Sequence, residues 1–206
     1  MTEVVTPSDK SITKGQAGKF CDVFADALVK SGLPSEPIQQ VLASQGSTLA
    51  DEFVALVRKR VEAMSSIIVR RVKVDRTRTP QAMLDATGRN KYVTDSVVKA
   101  MPKGDGDGDE VDVHFFKLDR YVSDADLDKE YELRGLIPAD PYSQGAVNEA
   151  DPAFADDHSN GTHWKDAQGK WCCATFDRWS AERGVYVRRD DGGWDVGWWF
   201  AGLRKK

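Results

Sequence analysis

The spacing of apolar and polar positions divides the chain into a helical beginning and a mixed remainder. Apolar residues recur every three or four positions in Phe20, Val23, Phe24 and Leu28, which is the stripe of an amphipathic helix. This pattern predicts a first helix that starts near Lys14.

Two further helices are predicted in the same part of the chain. Ser35 is a favourable N-cap for a short second helix that Gly46 closes, and Thr48 starts a third helix with a wide apolar stripe. The three helices are expected to form a layer over residues 13–66. A polar, aperiodic tail over residues 1–12 is expected to be disordered.

The remaining residues, 67–206, combine strand and helix patterns. Alternating or β-branched runs predict the strands Ile67–Val74, Glu110–Leu118, Lys170–Thr175, Val185–Arg189 and Trp194–Phe200. Capping residues predict short helices that begin at Thr79, Thr94, Ser123 and Asp140, and a short helical turn is predicted near Trp179. Two glycines between the last two strands predict a tight hairpin over residues 185–200.

One long segment, residues 149–169, carries almost no apolar periodicity. A loop of that length inside a compact domain is often functional or mobile, so a mobile loop is expected there. The predicted fold class is therefore α+β, with an N-terminal helical layer packed on a small, mainly antiparallel sheet and a tryptophan-rich C-terminal hairpin.

Composition adds a cellular setting to this picture. Among the 206 residues no run approaches the roughly 20 apolar residues that cross a bilayer, so no membrane association is expected. The first residues lack the basic and apolar regions of a secretory signal. Three cysteines form no disulfide pattern, which favours reduced thiols and a cytoplasmic location.

Three stretches, residues 75–81, 134–142 and 198–202, resemble conserved hypothetical proteins of bacterial metagenomes. The resemblance covers residues 65–206. It implies a bacterial origin and assigns no activity.

The net charge of −4 hides two segments of opposite sign. Residues 58–78 hold eight basic and two acidic residues, whereas residues 105–157 hold sixteen acidic and four basic residues. A nucleic-acid-associated factor would use the cations of the first segment to bind phosphates; these are Arg70, Arg71, Lys73, Arg76 and Arg78. Pairing with the acidic segment of the same molecule is the favoured interpretation.

Candidate chemistry concentrates near the long segment. Asp157, His158, His163 and Cys172 are residue types that bind zinc or that form a nucleophile, base and acid group. They define the hypothesis of a metal-dependent or thiol hydrolase. No standard zinc spacing is present, and buried, inert cysteines at Cys172 and its neighbour Cys173 are the default. No cofactor is therefore expected.

All six tryptophans fall in the last 43 residues. Trp198 and Trp199 are neighbours in a predicted strand, so their side chains are expected to face opposite sides of the sheet. With Trp194 they either fill a core or expose an indole that anchors a partner. We expect a non-enzymatic binding or accessory protein that contacts another protein through this unit, with Arg76 and Arg78 as further binding candidates.

Overall fold

The computed structural model describes residues 11–64, 67–106, 110–190 and 192–205. The chain divides into a helical unit, Met1–Ser65, and a sheet unit, Ser66–Lys206. Residues 1–10 of the predicted disordered tail lie outside the described residues.

The helical unit is a hairpin of two helices, α1 (Lys14–Lys30) and α2 (Ser35–Met64). A capping box starts α1. The Thr13 side chain accepts a hydrogen bond from the Gln16 backbone, and the Gln16 side chain accepts one from the Thr13 backbone. The prediction of separate second and third helices is wrong, because Gly46 lies inside α2. A lone glycine costs a helix about 1 kcal/mol relative to alanine and does not break one without a proline.

The described residues of the sheet unit form five short helices and eight strands. Its helices are α3 (Pro80–Ala86), α4 (Asp95–Lys99), α5 (Asp124–Leu133), α6 (Pro141–Ala150) and α7 (Phe154–Asp157). Its strands are β1 (Ile67–Lys73), β2 (Asn90–Val93), β3 (Glu110–Lys117), β4 (Leu136–Pro138), β5 (Asn160–Lys165), β6 (Trp171–Trp179), β7 (Glu182–Arg189) and β8 (Trp199–Arg204).

The strands form one mixed sheet in the order β1-β3-β8-β5-β6-β7-β2, with β4 also paired to β8. The pairs β2–β7 and β5–β8 are parallel and the remaining pairs are antiparallel. The predicted α+β class with a mainly antiparallel sheet is confirmed. Within the described ranges, no helix has the length and apolar character needed to cross a bilayer.

The four helix starts predicted in the sheet unit, at Thr79, Thr94, Ser123 and Asp140, are confirmed, and three of these residues cap their helix through the side chain. The Thr79 side chain accepts from Ala82, Ser123 accepts from Asp126, and Asp140 accepts from the backbone of the residue three positions later. Proline at the first position of α3 and α6 costs no hydrogen bond, because that N–H has no partner inside a helix.

The two faces of the sheet carry separate cores. One core contains Phe115, Cys172 and Trp199, and the other contains Phe116, Cys173 and the inward side of α5. The adjacent cysteines therefore point to opposite faces, as expected for neighbours in a strand.

The expectation of a loop over residues 149–169 is wrong, because this segment contains α7 and β5. β5 lies in the interior of the sheet between β8 and β6. Its side chains Asn160, Thr162 and His163 are polar yet buried, so the strand lacks the apolar alternation that would reveal it.

The C-terminal strands pair differently from the prediction. A tryptophan-bearing hairpin is present, but it joins β6 to β7, and the predicted pairing of Val185–Arg189 with Trp194–Phe200 is wrong. Trp194 forms only an isolated bridge to Val122, and the last strand begins at Trp199. The helical turn predicted near Trp179 is the end of β6.

Candidate functional site

The tryptophans differ sharply in exposure. Trp194 and Trp199 are buried, and Trp198 packs partly buried against the second core. Trp179, at the end of β6, is 78% exposed. The most exposed indole is therefore that of Trp179, for which the sequence pattern predicts a helical turn.

The two buried C-terminal indoles have defined internal partners. Trp194 donates from Nε1 to Asp124 Oδ1 at 2.9 Å and meets the ring of Phe200 edge-on at 4.8 Å. Trp199 meets the His158 ring edge-on at 5.1 Å. Both residues were predicted as binding anchors, and both fill cores of the sheet unit instead.

A tight turn presents Trp179 at the tip of the β6–β7 hairpin. Trp179 and Glu182 are the last paired residues, so the loop contains only Ser180 and Ala181. Their φ angles are 49° and 74°, in the left-handed region that a type I′ hairpin turn requires. Neither residue is glycine, and each costs about 1 kcal/mol in this conformation.

Two tyrosines share the face of the sheet that carries Trp179. Thr175 pairs with Tyr186 in the same hairpin, and Tyr92 of β2 pairs with Tyr186 in parallel register. Because residues two or four apart in a strand face the same side, the three aromatic side chains lie on one face. We call Trp179, Tyr186 and Tyr92 the aromatic surface.

The position of Tyr186 depends on a glycine. Its ring stacks on Tyr92 with the centroids 4.9 Å apart and 14° between the planes. A Cβ at Gly184 would lie 2.8 Å from Tyr186 Cε2, so the ring occupies space that only glycine leaves open. The position of the Tyr186 ring therefore depends on glycine at residue 184.

One carboxylate binds the β6–β7 hairpin close to its tip. Asp156 of α7 accepts from Arg183 Nη2 at 2.6 Å and from Arg178 Nη1 at 3.4 Å. The Arg183 guanidinium lowers the pKa of Asp156, which keeps the carboxylate ionised. The carboxylate in this contact is Asp156 and not its neighbour Asp157, which the sequence analysis names as a candidate catalytic residue.

His163 lies in a closed polar cluster. Its Nδ1 is 3.1 Å from Asp124 Oδ1 and its Nε2 is 3.0 Å from Asp128 Oδ1, and its side chain is fully buried. The imidazole stacks on Trp171 at 4.5 Å and on Tyr131 at 5.8 Å. Both ring nitrogens are occupied by carboxylates, so the imidazole has no open position for a substrate.

The remaining candidate residues do not form one site with His163. His158 stacks on Phe154 at 4.9 Å and its Nδ1 is 3.2 Å from the Phe154 carbonyl. Cys172 belongs to the core on the face opposite Cys173, the direct strand partner of His163. Among the residues that the structure describes, no three His, Cys, Asp or Glu side chains converge on a metal position.

The two strand cysteines are poor nucleophiles. Burial raises the pKa of Cys173 to about 12 and also raises that of Cys172, and a thiol attacks only as its thiolate. Both are buried, whereas Cys21 is exposed on α1.

We expect only the exposed Cys21 thiol to react with a disulfide reagent in the native protein, because Cys172 and Cys173 are buried and the reagent cannot reach them. Reaction with Ellman's reagent, before and after denaturation, measures the number. The variant Cys21→Ser is the control and is expected to leave no fast-reacting thiol. Rapid reaction of Cys172 or Cys173 in native Cys21→Ser would contradict the conclusion that burial makes them unreactive. It would support the hypothesis of a thiol nucleophile.

Four arginines of the basic segment form ion pairs within the sheet unit. Each of four arginines between residues 70 and 78 pairs with a carboxylate of the acidic segment. The pairs are Arg70–Asp151, Arg71–Asp112, Arg76–Asp140 and Arg78–Glu149, with N–O distances of 3.8, 2.7, 2.9 and 2.7 Å. The predicted intramolecular pairing is confirmed for these four arginines.

Arg76 and Arg78, both predicted binding residues, occupy different environments. Arg76 is buried and donates to Asp140, Ser143 and the Lys103 carbonyl. Arg78 is partly exposed and also contacts Asp75 at 3.1 Å. Arg76 is thus part of the interior.

Comparison of the chain with protein-family models, curated proteins and solved structures finds no match.

Proposed function

We propose that this protein is a non-enzymatic binding protein that contacts an extended, basic peptide segment of another protein through the aromatic surface. The observation that carries the proposal is the exposure of Trp179 at the tip of a strained turn. A large indole in water and two non-glycine residues with positive φ both cost stability, and such costs collect at functional positions.

The composition of the surface supports a protein partner. Tryptophan and tyrosine are enriched among the residues that dominate binding energies, because they offer a large contact area with few rotatable bonds. Gly184 and Asp156 hold the surface in one arrangement before a partner arrives, which reduces the ordering cost of binding.

The charges on the same face favour a basic segment. Asp177 and Glu182 share the face of Trp179 by strand alternation. Burial raises the pKa of Asp177, so its carboxylate gains from a nearby cation. Lysine and arginine side chains also bind the faces of aromatic rings, whereas phosphates are repelled by these carboxylates.

The edge of the sheet favours an extended partner. β2, which carries Tyr92, is the last strand in the order of the described sheet. An edge strand can accept a further strand through its backbone, while side chains above it supply specificity.

Selection of random peptides displayed on phage against the full chain tests the proposal. We expect enriched peptides to be rich in lysine and arginine and to lose at least tenfold in affinity for Trp179→Ser, because a buried indole anchor contributes about 2 kcal/mol or more. Leu133→Ser is the matched control, since Leu133 on α5 is also 78% exposed. Peptides that bind Trp179→Ser as tightly as the unmodified chain, or a selection without enrichment, would contradict the proposal.

The alternative functions receive less support. A hydrolase would need His163 open to a substrate and a thiolate or metal beside it, and the imidazole is enclosed. A nucleic-acid factor would need free cations, and four of its proposed cations pair internally. A bacterial cytoplasm remains the proposed setting, and the three free thiols fit a reducing compartment.

A further inference from the structure

The helical hairpin formed by α1 and α2 has no buried core of its own. None of its described side chains is buried, and twelve large apolar side chains among them are exposed. Val23 is 70% exposed and Val29 is 82% exposed, while Leu42, Leu56 and Val61 of α2 are each more than half exposed. A helix stays folded by burying its apolar stripe, so this hairpin lacks the surface that would stabilise it.

The contacts inside the hairpin cover only part of α2. Phe20 and Phe24 of α1 meet Phe53 of α2, with ring centroids 6.4 and 5.1 Å apart. α2 has 30 residues and α1 has 17. At 1.5 Å per residue, α2 is about 20 Å longer than the helix beside it. The apolar stripe continues along α2 beyond Phe53, to Leu56 and Val61.

We infer that two copies of this chain associate through the α1–α2 hairpin, as a two-fold dimer with a four-helix bundle at the interface. A second hairpin supplies two helices with matching apolar stripes, and its α2 can cover the length that α1 leaves open. The aromatic surface is not involved, so this inference is independent of the proposed function.

The charge of the hairpin allows a second copy as the partner. Residues 14–64 contain six basic and six acidic residues, so the hairpin is neutral although the whole chain carries −4. A neutral surface neither attracts a strongly charged partner nor repels its own copy.

The exposed apolar area is of the size that a stable dimer uses. The exposed fractions of the twelve side chains correspond to on the order of 1,000 Å² per hairpin, and stable interfaces bury roughly 800 Å² or more per partner.

The mass of the full chain in solution tests the inference. Light scattering on an eluting column is expected to give twice the 22.9 kDa of one chain at micromolar concentration. Leu42→Glu and Leu56→Glu place a charge in the two halves of the α2 stripe, and each is expected to return the mass to that of one chain with a loss of helical circular dichroism. Leu56→Met retains apolar surface and is expected to stay dimeric.

Two controls separate the hairpin from other surfaces. Leu133→Glu alters an equally apolar exposed residue of the sheet unit, and Trp179→Ser removes the anchor of the aromatic surface. Both variants are expected to remain dimeric. Because all six tryptophans lie in the sheet unit, tryptophan fluorescence reports whether that unit stays folded in every variant.

A single-chain mass for the unmodified protein would overturn the inference. So would a dimer that persists in both glutamate variants, because the copies would then meet elsewhere. A dimer that dissociates in Trp179→Ser would move the interface to the aromatic surface, and a mass of three or more chains would exclude two-fold pairing.

Discussion

Replacement of Asp140 by alanine is expected to lower the free energy of unfolding of the sheet unit by about 4 kcal/mol. Asp140 Oδ2 lies 2.9 Å from Arg76 Nη2, and both side chains are more than nine-tenths buried. Loss of one partner of a buried ion pair costs about 3–5 kcal/mol, because the other charge remains in a medium of low polarity. Urea unfolding followed by tryptophan fluorescence measures the change, since all six indoles lie in this unit.

Asp140 has a second role that the experiment must separate. Its Oδ1 accepts from the Ser143 backbone at 2.9 Å and caps α6, a contact worth about 1 kcal/mol. Asp140→Asn keeps a capping oxygen and removes the charge, so it is expected to lose most of what alanine loses. A loss of only about 1 kcal/mol in Asp140→Ala would assign the residue to capping alone.

A matched control for burial is present on β1. Arg71 and Asp112 form two parallel hydrogen bonds of 2.7 and 2.8 Å, but both side chains are exposed. Asp112→Ala is therefore expected to cost far less than Asp140→Ala. Equal losses in the two variants would show that burial does not set the energy of these pairs.

Capping explains which helices could be predicted from the sequence. The N-caps Thr79, Ser123 and Asp140 act on backbone groups within three residues, so their signal lies in adjacent positions. The prediction at Gly46 is wrong because it also used an adjacent signal alone. A glycine indicates a helix end, but the apolar spacing from Val41 to Leu49 continues across Gly46 within one helix.

β5 could not be predicted because its buried polar groups are satisfied by distant residues. The Asn160 side chain accepts from Gln144, Thr162 donates to the Ala139 carbonyl, and His163 meets α5. A buried polar side chain is stable when it is hydrogen-bonded, and those partners lie 16 to 39 residues away in the chain. The spacing of apolar residues therefore does not reveal this strand in the sequence.

The proposed aromatic surface lies in the C-terminal region where the tryptophans concentrate, but its residues differ from the predicted ones. Concentration of tryptophan near the C-terminus indicated where aromatic contacts would lie, and the opposite orientations of Trp198 and Trp199 are confirmed by their separate cores. Exposure, however, depends on what covers each face. Trp179 was missed because the turn after it contains Ser180 and Ala181, without the glycine or asparagine that marks a type I′ turn.

Replacement of His163 by alanine is expected to lower the free energy of unfolding by about 3–4 kcal/mol. The change removes a buried ring from between Trp171 and Tyr131 and takes one hydrogen-bonding contact from Asp124. Truncation of a buried aromatic side chain costs about 3–5 kcal/mol, and a buried acceptor left short of partners adds to the loss. Urea unfolding measures the change.

Two variants divide this energy into stacking and hydrogen bonding. His163→Phe keeps a ring between its neighbours and removes both contacts to carboxylates, so it is expected to lose less than alanine does. His158→Ala is the control, because that imidazole is only partly buried and bonds a single carbonyl.

Catalytic residues often lower the stability of a protein, and their replacement is then neutral or stabilising. A stable His163→Ala protein would therefore favour the hydrolase hypothesis, whereas a large loss assigns His163 to the attachment of α5 to the sheet.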